Sequence, residues 1–334
     1  MSASVDRGAA FLDAQTARYI RENRITDSQI RNWTPPEVET AIKCPLEYLQ
    51  SVIDLLHGRV LVGDTMPWKK THANFRFRPG EVTLWHGING HGKSAVTTQV
   101  ALWLALQGKT SCLASFEMMP ERTLKRLTTQ AAGNPSPTDD FVINLFMAIA
   151  RKILIYDHRG RVDKSLLYQA IRYCAAEFGA THFFIDSLMK CCPREDDMGA
   201  QSDFINSLCD LAHETQNHIH IIHHVRKGED EKKPPGKFDA KGSGAITDQV
   251  DNVIAVWRNK AKERERDECL RVGAALTDET PDFLLICDKQ RNGEWEGNWA
   301  LWGDPKTAHF RETAQTPWQR GYDIPVQVEP GANG

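Results

Sequence analysis

The stretch Gly87-Ile-Asn-Gly-His-Gly-Lys-Ser94 constrains this chain more than any other. It follows a short apolar run, Glu81 to His86, and opens an apolar-periodic segment, Ala95 to Leu104. The spacing Gly-x4-Gly-Lys-Ser is that of a P-loop set between a strand and a helix. Each position has a task. Gly87, Gly90 and Gly92 let the backbone turn its N–H groups inward around phosphate oxygens. Asn89, His91 and Ala95 fill out the cradle, and the helix N-terminus that follows adds partial positive charge. Lys93 is placed for the β- and γ-phosphates, and the Ser94 hydroxyl for Mg²⁺. These residues imply binding of a nucleoside triphosphate, with ATP and Mg²⁺ the expected pair. A plain glycine turn would not need Lys93 and Ser94 in register.

A chain of 334 residues, 41% hydrophobic and 25% charged, can bury a sizeable core. The net charge of −3 excludes a generally basic nucleic-acid binder, so contact with DNA or RNA must come from local basic segments. No apolar run reaches membrane-spanning length, and the start Met1 to Arg7 lacks a signal-peptide core. The eight cysteines fall outside any zinc spacing, several of them in apolar runs. A reducing cytoplasm, bacterial or that of a phage-infected host, is the expected setting.

Residues 1–74 read as a helical and linker segment: helix-like spacing over Phe11 to Ile25, a break at Pro35-Pro36, then an amphipathic stretch from Pro45 to Leu56. The stripe Leu46, Leu49, Val52, Ile53 and Leu56 must pack on its own domain or on a neighbouring subunit. Residues 75–312 alternate strand and helix, which predicts an α/β fold: a mainly parallel sheet flanked by helices. Expected strands are Thr110 to Phe116, Lys152 to Tyr156, Thr181 to Asp186, His218 to His224, Asp251 to Arg258 and Phe283 to Lys289, with edge strands near Trp299 to Trp302 and Thr307 to Arg311. Gln290-Arg-Asn-Gly293 reads as a tight turn. Residues 313–334 read as a disordered tail.

Asp186 ends an apolar strand downstream of the P-loop, the setting of the second Mg²⁺-side carboxylate. His224 also ends a strand, where it serves better as a polar sensor than as a metal ligand. His223 beside it points to the other face, so the two cannot share an ion. Lys227 to Gly244 has no apolar period and carries Lys232, Lys233, Lys237 and Lys241; it reads as a mobile basic loop. The run Lys260 to Glu268 reads as solvated surface.

The order of these motifs resembles the RecA-like motor domain of ring-shaped DnaB-like (superfamily 4) replicative helicases, a group that includes phage helicases and Twinkle-type proteins. Phe77 to Trp85 resembles that family's entry into its P-loop strand. Ser115-Phe-Glu-Met-Met119 resembles the motif whose glutamate is the general base, which implies that role for Glu117. Phe184-Ile-Asp186 resembles Walker B. Ile222-His-His-Val-Arg-Lys227 resembles the motif that senses the γ-phosphate, which implies His224. Lys241-Gly-Ser-Gly-Ala245 is similar to the segment after a DNA-contacting loop, so Lys227, Lys232, Lys233, Lys237, Lys241 and Gly242 are the implied DNA contacts. Lys289-Gln-Arg-Asn-Gly293 resembles the Lys-x-Arg pair that reaches into the neighbouring subunit's site, which implies Lys289 and Arg291.

The resemblance implies an ATP-hydrolysing DNA helicase acting in replication, assembled as a homohexameric ring on single-stranded DNA, with a primase or other replisome protein as a further partner. The N-terminal segment carries no zinc-binding or primase-like pattern, so a stand-alone phage-type helicase is the nearest expectation. Competing readings are a RecA- or KaiC-like ATPase in recombination or regulation, and an ATP-binding loader or ring-assembly protein. A small-molecule kinase would need an acceptor lid and has no use for the Lys-x-Arg turn.

Overall fold

The structure, a computed structural model, describes residues 27–33, 44–57, 62–158, 162–191, 198–224, 244–274, 279–316, 321–322 and 324. Its strands are β1 (Val82–Gly87), β2 (Thr110–Ser115), β3 (Ile153–Ile155), β4 (Ala180–Asp186), β5 (His218–His224), β6 (Asn252–Arg258), β7 (Phe283–Gln290), β8 (Gly297–Gly303) and β9 (Phe310–Arg311). They form one sheet in the order β3-β2-β4-β5-β1-β6-β7-β8-β9. Neighbours from β3 to β6 run parallel, and β6 to β9 antiparallel. The helices are α1 (Asp27–Asn32), α2 (Leu49–Leu56), α3 (Lys93–Leu106), α4 (Pro120–Ala132), α5 (Asp139–Ile149), α6 (Lys164–Phe178), α7 (Leu188–Cys191), α8 (Met198–Thr215), α9 (Gly244–Gln249) and α10 (Lys260–Val272).

Local chemistry sets the helix ends. Thr138 caps α5, its hydroxyl accepting from Phe141 N–H, and Asp139 and Asp140 follow in the first turn. Asp163 caps α6 in the same way, and Gly179 ends it in the left-handed conformation. Pro120 sits in the first turn of α4, where its missing N–H costs nothing.

Alternation along the central strands feeds two cores, one on each face. Trp85, Phe184, Ile222 and Ile254 pack with α3 on one face, while Leu84, Phe183, Ile221 and Val253 pack with α8 and α9 on the other. Helix α8 is not anticipated from the sequence. Among the described residues no helix is long and apolar enough to cross a membrane.

Packing differs from the expected divisions in several places. Met66 and Trp68 belong to the α3-side core, so packed structure begins before Phe75. At the other end Tyr322 donates its N–H to Ala131 and receives a bond from Gln99, which ties part of the expected tail to α4 and α3. The charged run after Lys260 is helix α10, and its Lys262 is buried against Asp282 at 3.1 Å. The connection from β7 to β8 spans 291–296, longer than a two-residue hairpin, because Asn292 reaches back to Glu81. The Phe11 to Ile25 spacing and most of the basic loop lie outside the described residues.

One buried feature predicts a pH response. His182, His218 and His220 share the α3-side face with Thr83 and Trp85. Trp85 Nε1 donates to His220 Nδ1 at 3.2 Å, and His220 and His182 are 3.1 Å apart. His182 meets Asp64 at 3.1 Å, and Asp64 meets Lys109 at 2.9 Å. His218 lies between Thr83 and the carbonyl of Arg78, 2.8 and 2.7 Å away. Each ring makes its bonds in the neutral form. Burial, with the charge of neighbouring histidines, pushes His218 down to about 3 and His220 well below its usual value. The folded state therefore binds fewer protons than the unfolded one, whose histidines titrate near 6.5. Stability is full above that pH and is lost as pH falls towards 3, by about 1.4 kcal/mol per pH unit for one such histidine. The urea midpoint is expected to drop between pH 7 and pH 5; a flat profile contradicts the neutral network.

Candidate functional site

The P-loop closes over its own lysine. Gly87 has φ 148°, and a Cβ there would meet the carbonyl oxygen of Val256 at 2.5 Å, so only glycine fits. Gly92 caps α3 in the left-handed region with the Phe283 ring 3.0 Å from where a Cβ would stand. His91 is buried, and its Nδ1 accepts from the Arg258 backbone N–H at 3.2 Å, pinning the loop to the end of β6. Asn89 and Gly90 are exposed at the tip. Ala95 lies in the first turn of α3, its carbonyl accepting from Gln130 of α4.

Lys93 is buried and donates to the carbonyls of Gly87 at 2.7 Å and Ile88 at 3.0 Å. Burial lowers its pKa to about 8 against the opposing pull of Asp186 and Glu117. The incoming phosphate would replace both carbonyl partners, and its charge would restore the proton's hold.

Glu117, Asp186 and His224 stand at the C-terminal edge of β2, β4 and β5, beside the P-loop at the end of β1. This is the edge where open α/β sheets bind ligands. Their ligand atoms lie within 4.8 Å of one another. Glu117 accepts from the Ser187 hydroxyl and sits 3.4 Å from His224 Nε2. The imidazole first, then the hydroxyl, hold its carboxyl down to about 2 despite the cost of burial. Asp186 runs the other way: burial raises its pKa, opposed by a hydrogen bond from Ser94. The Asp186–Ser187 peptide is cis.

These groups fit a hard cation. Asp186 Oδ1 is buried with no hydrogen-bond partner among the described residues, and the donor set is oxygen-rich. His224 faces this site and His223 is buried on the opposite face, as the strand alternation requires.

Arg126 is the residue that sequence reasoning missed. It projects from α4 into a cavity lined also by Ser94, Thr98 and Asp186, and its guanidinium donates to Met118 Sδ at 3.1 Å. The signal was weak, because an arginine in a charged amphipathic helix reads as surface. On the other side of the P-loop, Arg258 lies 5.6 Å over the Phe283 ring in a cleft with Gly92, Ala95 and Asp304.

Lys289 and Arg291 are not brought to this site. Lys289 Nζ donates to the carbonyls of Thr247 and Asp248 at 2.9 Å each. Arg291 is half exposed; it pairs with Asp251 at 3.3 Å and donates to the carbonyls of Asp248 and Gln249. Within one chain, then, both cations close the C-terminal end of α9. Lys227, Lys232, Lys233, Lys237, Lys241 and Gly242 lie outside the described residues.

Comparison with known proteins agrees with the architecture. Residues 73–230 match the model of the AAA domain family. The chain superposes on a solved structure described as an ATPase domain with a TM-score of 0.66 and 16% identity, covering 81% of this chain and 99% of that one. It superposes on a DnaB-like replicative helicase, described with its interactions with primase, with a TM-score of 0.62 and 16% identity, covering 91% of this chain and 76% of that one. The chain therefore has the RecA-like P-loop fold of the ATPase domains of DnaB-like replicative helicases.

Proposed function

We propose that this chain is an ATP hydrolase and DNA helicase of the DnaB-like ring type, which couples hydrolysis to movement along single-stranded DNA. The observation that carries the reading is a division of labour across the sheet. Lys93, Ser94, Glu117, Asp186 and His224 gather at one edge of the sheet beside the P-loop, while Lys289 and Arg291 lie at the end of β7, bonded to α9 and away from that cluster. Arg126 shares the Asp186 cavity but is bonded to Met118 Sδ, so Arg291, held away from its own chain's site, is the arginine offered to a neighbouring copy.

In this reading Lys93 neutralises the β- and γ-phosphates, and Ser94 and Asp186 hold Mg²⁺. When bound, the ion offsets charge on the phosphate oxygens. Glu117, ionised at neutral pH, orients the attacking water. A carboxyl held near 2 is a weak base, but a loose phosphoryl-transfer transition state asks mainly for positioning. His224 reads the γ-phosphate and passes its state to the chain beyond β5. Arg291 of the adjacent subunit supplies charge that Lys93 cannot.

The exposed apolar face of α2 and of the 3-10 turn before it, with Leu56 79% and Leu46 74% exposed, is assigned to docking on a neighbouring copy. A primase or other replisome protein is a further proposed partner, and the cytoplasm the proposed setting. A RecA- or KaiC-like ATPase that does not unwind is the alternative, separated by a strand-displacement assay.

The proposed DNA contact has its own test. Replacing Lys232, Lys233 and Lys237 by Ala is expected to weaken single-stranded DNA binding, flatten its salt dependence and reduce DNA stimulation, while basal hydrolysis persists. An unchanged salt slope would make this loop ordinary solvated surface.

A further inference from the structure

The face of the sheet turned away from the P-loop helix carries polar groups that the proposed reaction does not use. His86 lies on β1 one residue before Gly87, and His223, its register partner on β5, one residue before His224. Asp288 lies on β7 one residue before Lys289. His86 and His223 are 2% and 6% exposed, and His86 Nε2 is 3.5 Å from Asp288 Oδ2. Among the described residues neither ring nitrogen of His86 has a hydrogen-bond partner, nor has Asp288 Oδ2 or His223 Nδ1. Buried groups left this way are costly, and a fold keeps them where another requirement outweighs the cost. A shared metal does not explain them: among the described residues the set that converges closely enough is Glu117, Asp186 and His224.

Position explains them better. Strand β6 lies between β1 and β7, and the residue abreast of His86 is Ala255. Its methyl group leaves room for the imidazole to reach across. The β6–β7 register shifts between Val253 and Ile254, which makes Asp288 the extra residue of a bulge, and a bulge re-aims a side chain. Because strand neighbours face opposite ways, the two histidines are the reverse side of site residues. His86 backs the P-loop and His223 backs His224, while the bulge leaves Asp288 on the same face as Lys289, next to the turn that bears Arg291.

We propose that His86 and Asp288 are positioning residues: their contact ties the strand that ends in the P-loop to the strand that ends in Arg291. Filling a chain's own nucleotide site then sets where its arginine stands for the next chain. Lys289 and Arg291 extend the link to α9 through the carbonyls of Thr247, Asp248 and Gln249. The inference rests on the ring reading above.

The experiment is a double-mutant cycle with His86→Gln and Asp288→Asn, read in assembled protein. Melting curves and mass in solution are expected to show folded rings, and ATP affinity to stay parental. The turnover rate should fall about five- to tenfold at unchanged KM, and the Hill coefficient for ATP should drop from above one to one. The double variant should be no worse than either single, because the two act as one contact. Ala255→Val, which keeps both groups and puts a branched side chain between them, is expected to reproduce the loss and covers the case in which a polar variant does not fold.

Losses that add in the double variant, a parental Hill coefficient in the variants, or a parent that is not cooperative would each overturn the proposal. If the parent forms no ring, the ring reading itself fails. If rings form and Arg291→Ala is inactive while these variants behave as the parent, this inference fails alone.

Discussion

Glu117→Gln is expected to bind ATP nearly as tightly as the parent while hydrolysing it at least about a hundredfold more slowly, as for loss of a general base. The substitution keeps the shape and a hydrogen-bond acceptor for the Ser187 hydroxyl, and removes only the charge facing His224. Because the Glu117 carboxyl is held down to about 2, it is ionised throughout the range in which the protein is studied. The parent's rate should therefore show no acid limb from this group at pH 5 or above. Single-turnover hydrolysis and nucleotide binding measured on the same preparation check the split between chemistry and affinity. A variant that hydrolyses at the parental rate removes Glu117 from the mechanism.

Arg291→Ala is expected to lose hydrolysis on a similar or larger scale, since an arginine supplied to a phosphoryl-transfer site is typically worth about 10³-fold or more. The loss must be separated from a change in stability. Arg291 is half exposed and its pair with Asp251 is screened, so its direct contribution to folding is about 1 kcal/mol or less. Asp251 keeps a second partner, the Val82 N–H at 2.9 Å. The end of α9 keeps Lys289 on the carbonyls of Thr247 and Asp248. A modest fall in melting temperature with near-complete loss of turnover is thus the expected signature. Loss of both together would instead make Arg291 a structural cap.

Much of this arrangement was legible because it is local. The P-loop is one uninterrupted stretch, and the strand ends at Asp186 and His224 follow from apolar runs that stop at a polar residue. Placing Glu117 needed the resemblance, since a glutamate two residues past a strand is common. What was not legible depends on contacts between distant segments. The meeting of His86 with Asp288 needs β6 between β1 and β7, a small residue at Ala255 and a register shift, none of which leaves a pattern along the chain. Lys262 looked like a surface lysine until Asp282 was set against it. Tyr322 sits in a stretch whose composition reads as tail, yet its ring lies 6.3 Å from Trp103 and its hydroxyl meets Gln99. The role of Lys289 and Arg291 at the end of α9 was hidden because that helix is only six residues long.

The central claim is that one chain's arginine completes another chain's phosphate site, and mixing tests it most directly. Arg291→Ala subunits lack the arginine and keep the P-loop, whereas Lys93→Ala subunits lack the lysine and keep the arginine. Each alone should be nearly inactive. Mixed, with light scattering to show shared rings, they should regain part of the hydrolysis, because some interfaces then pair an intact site with an intact arginine. A mixture that forms shared rings and stays as inactive as either variant contradicts the claim.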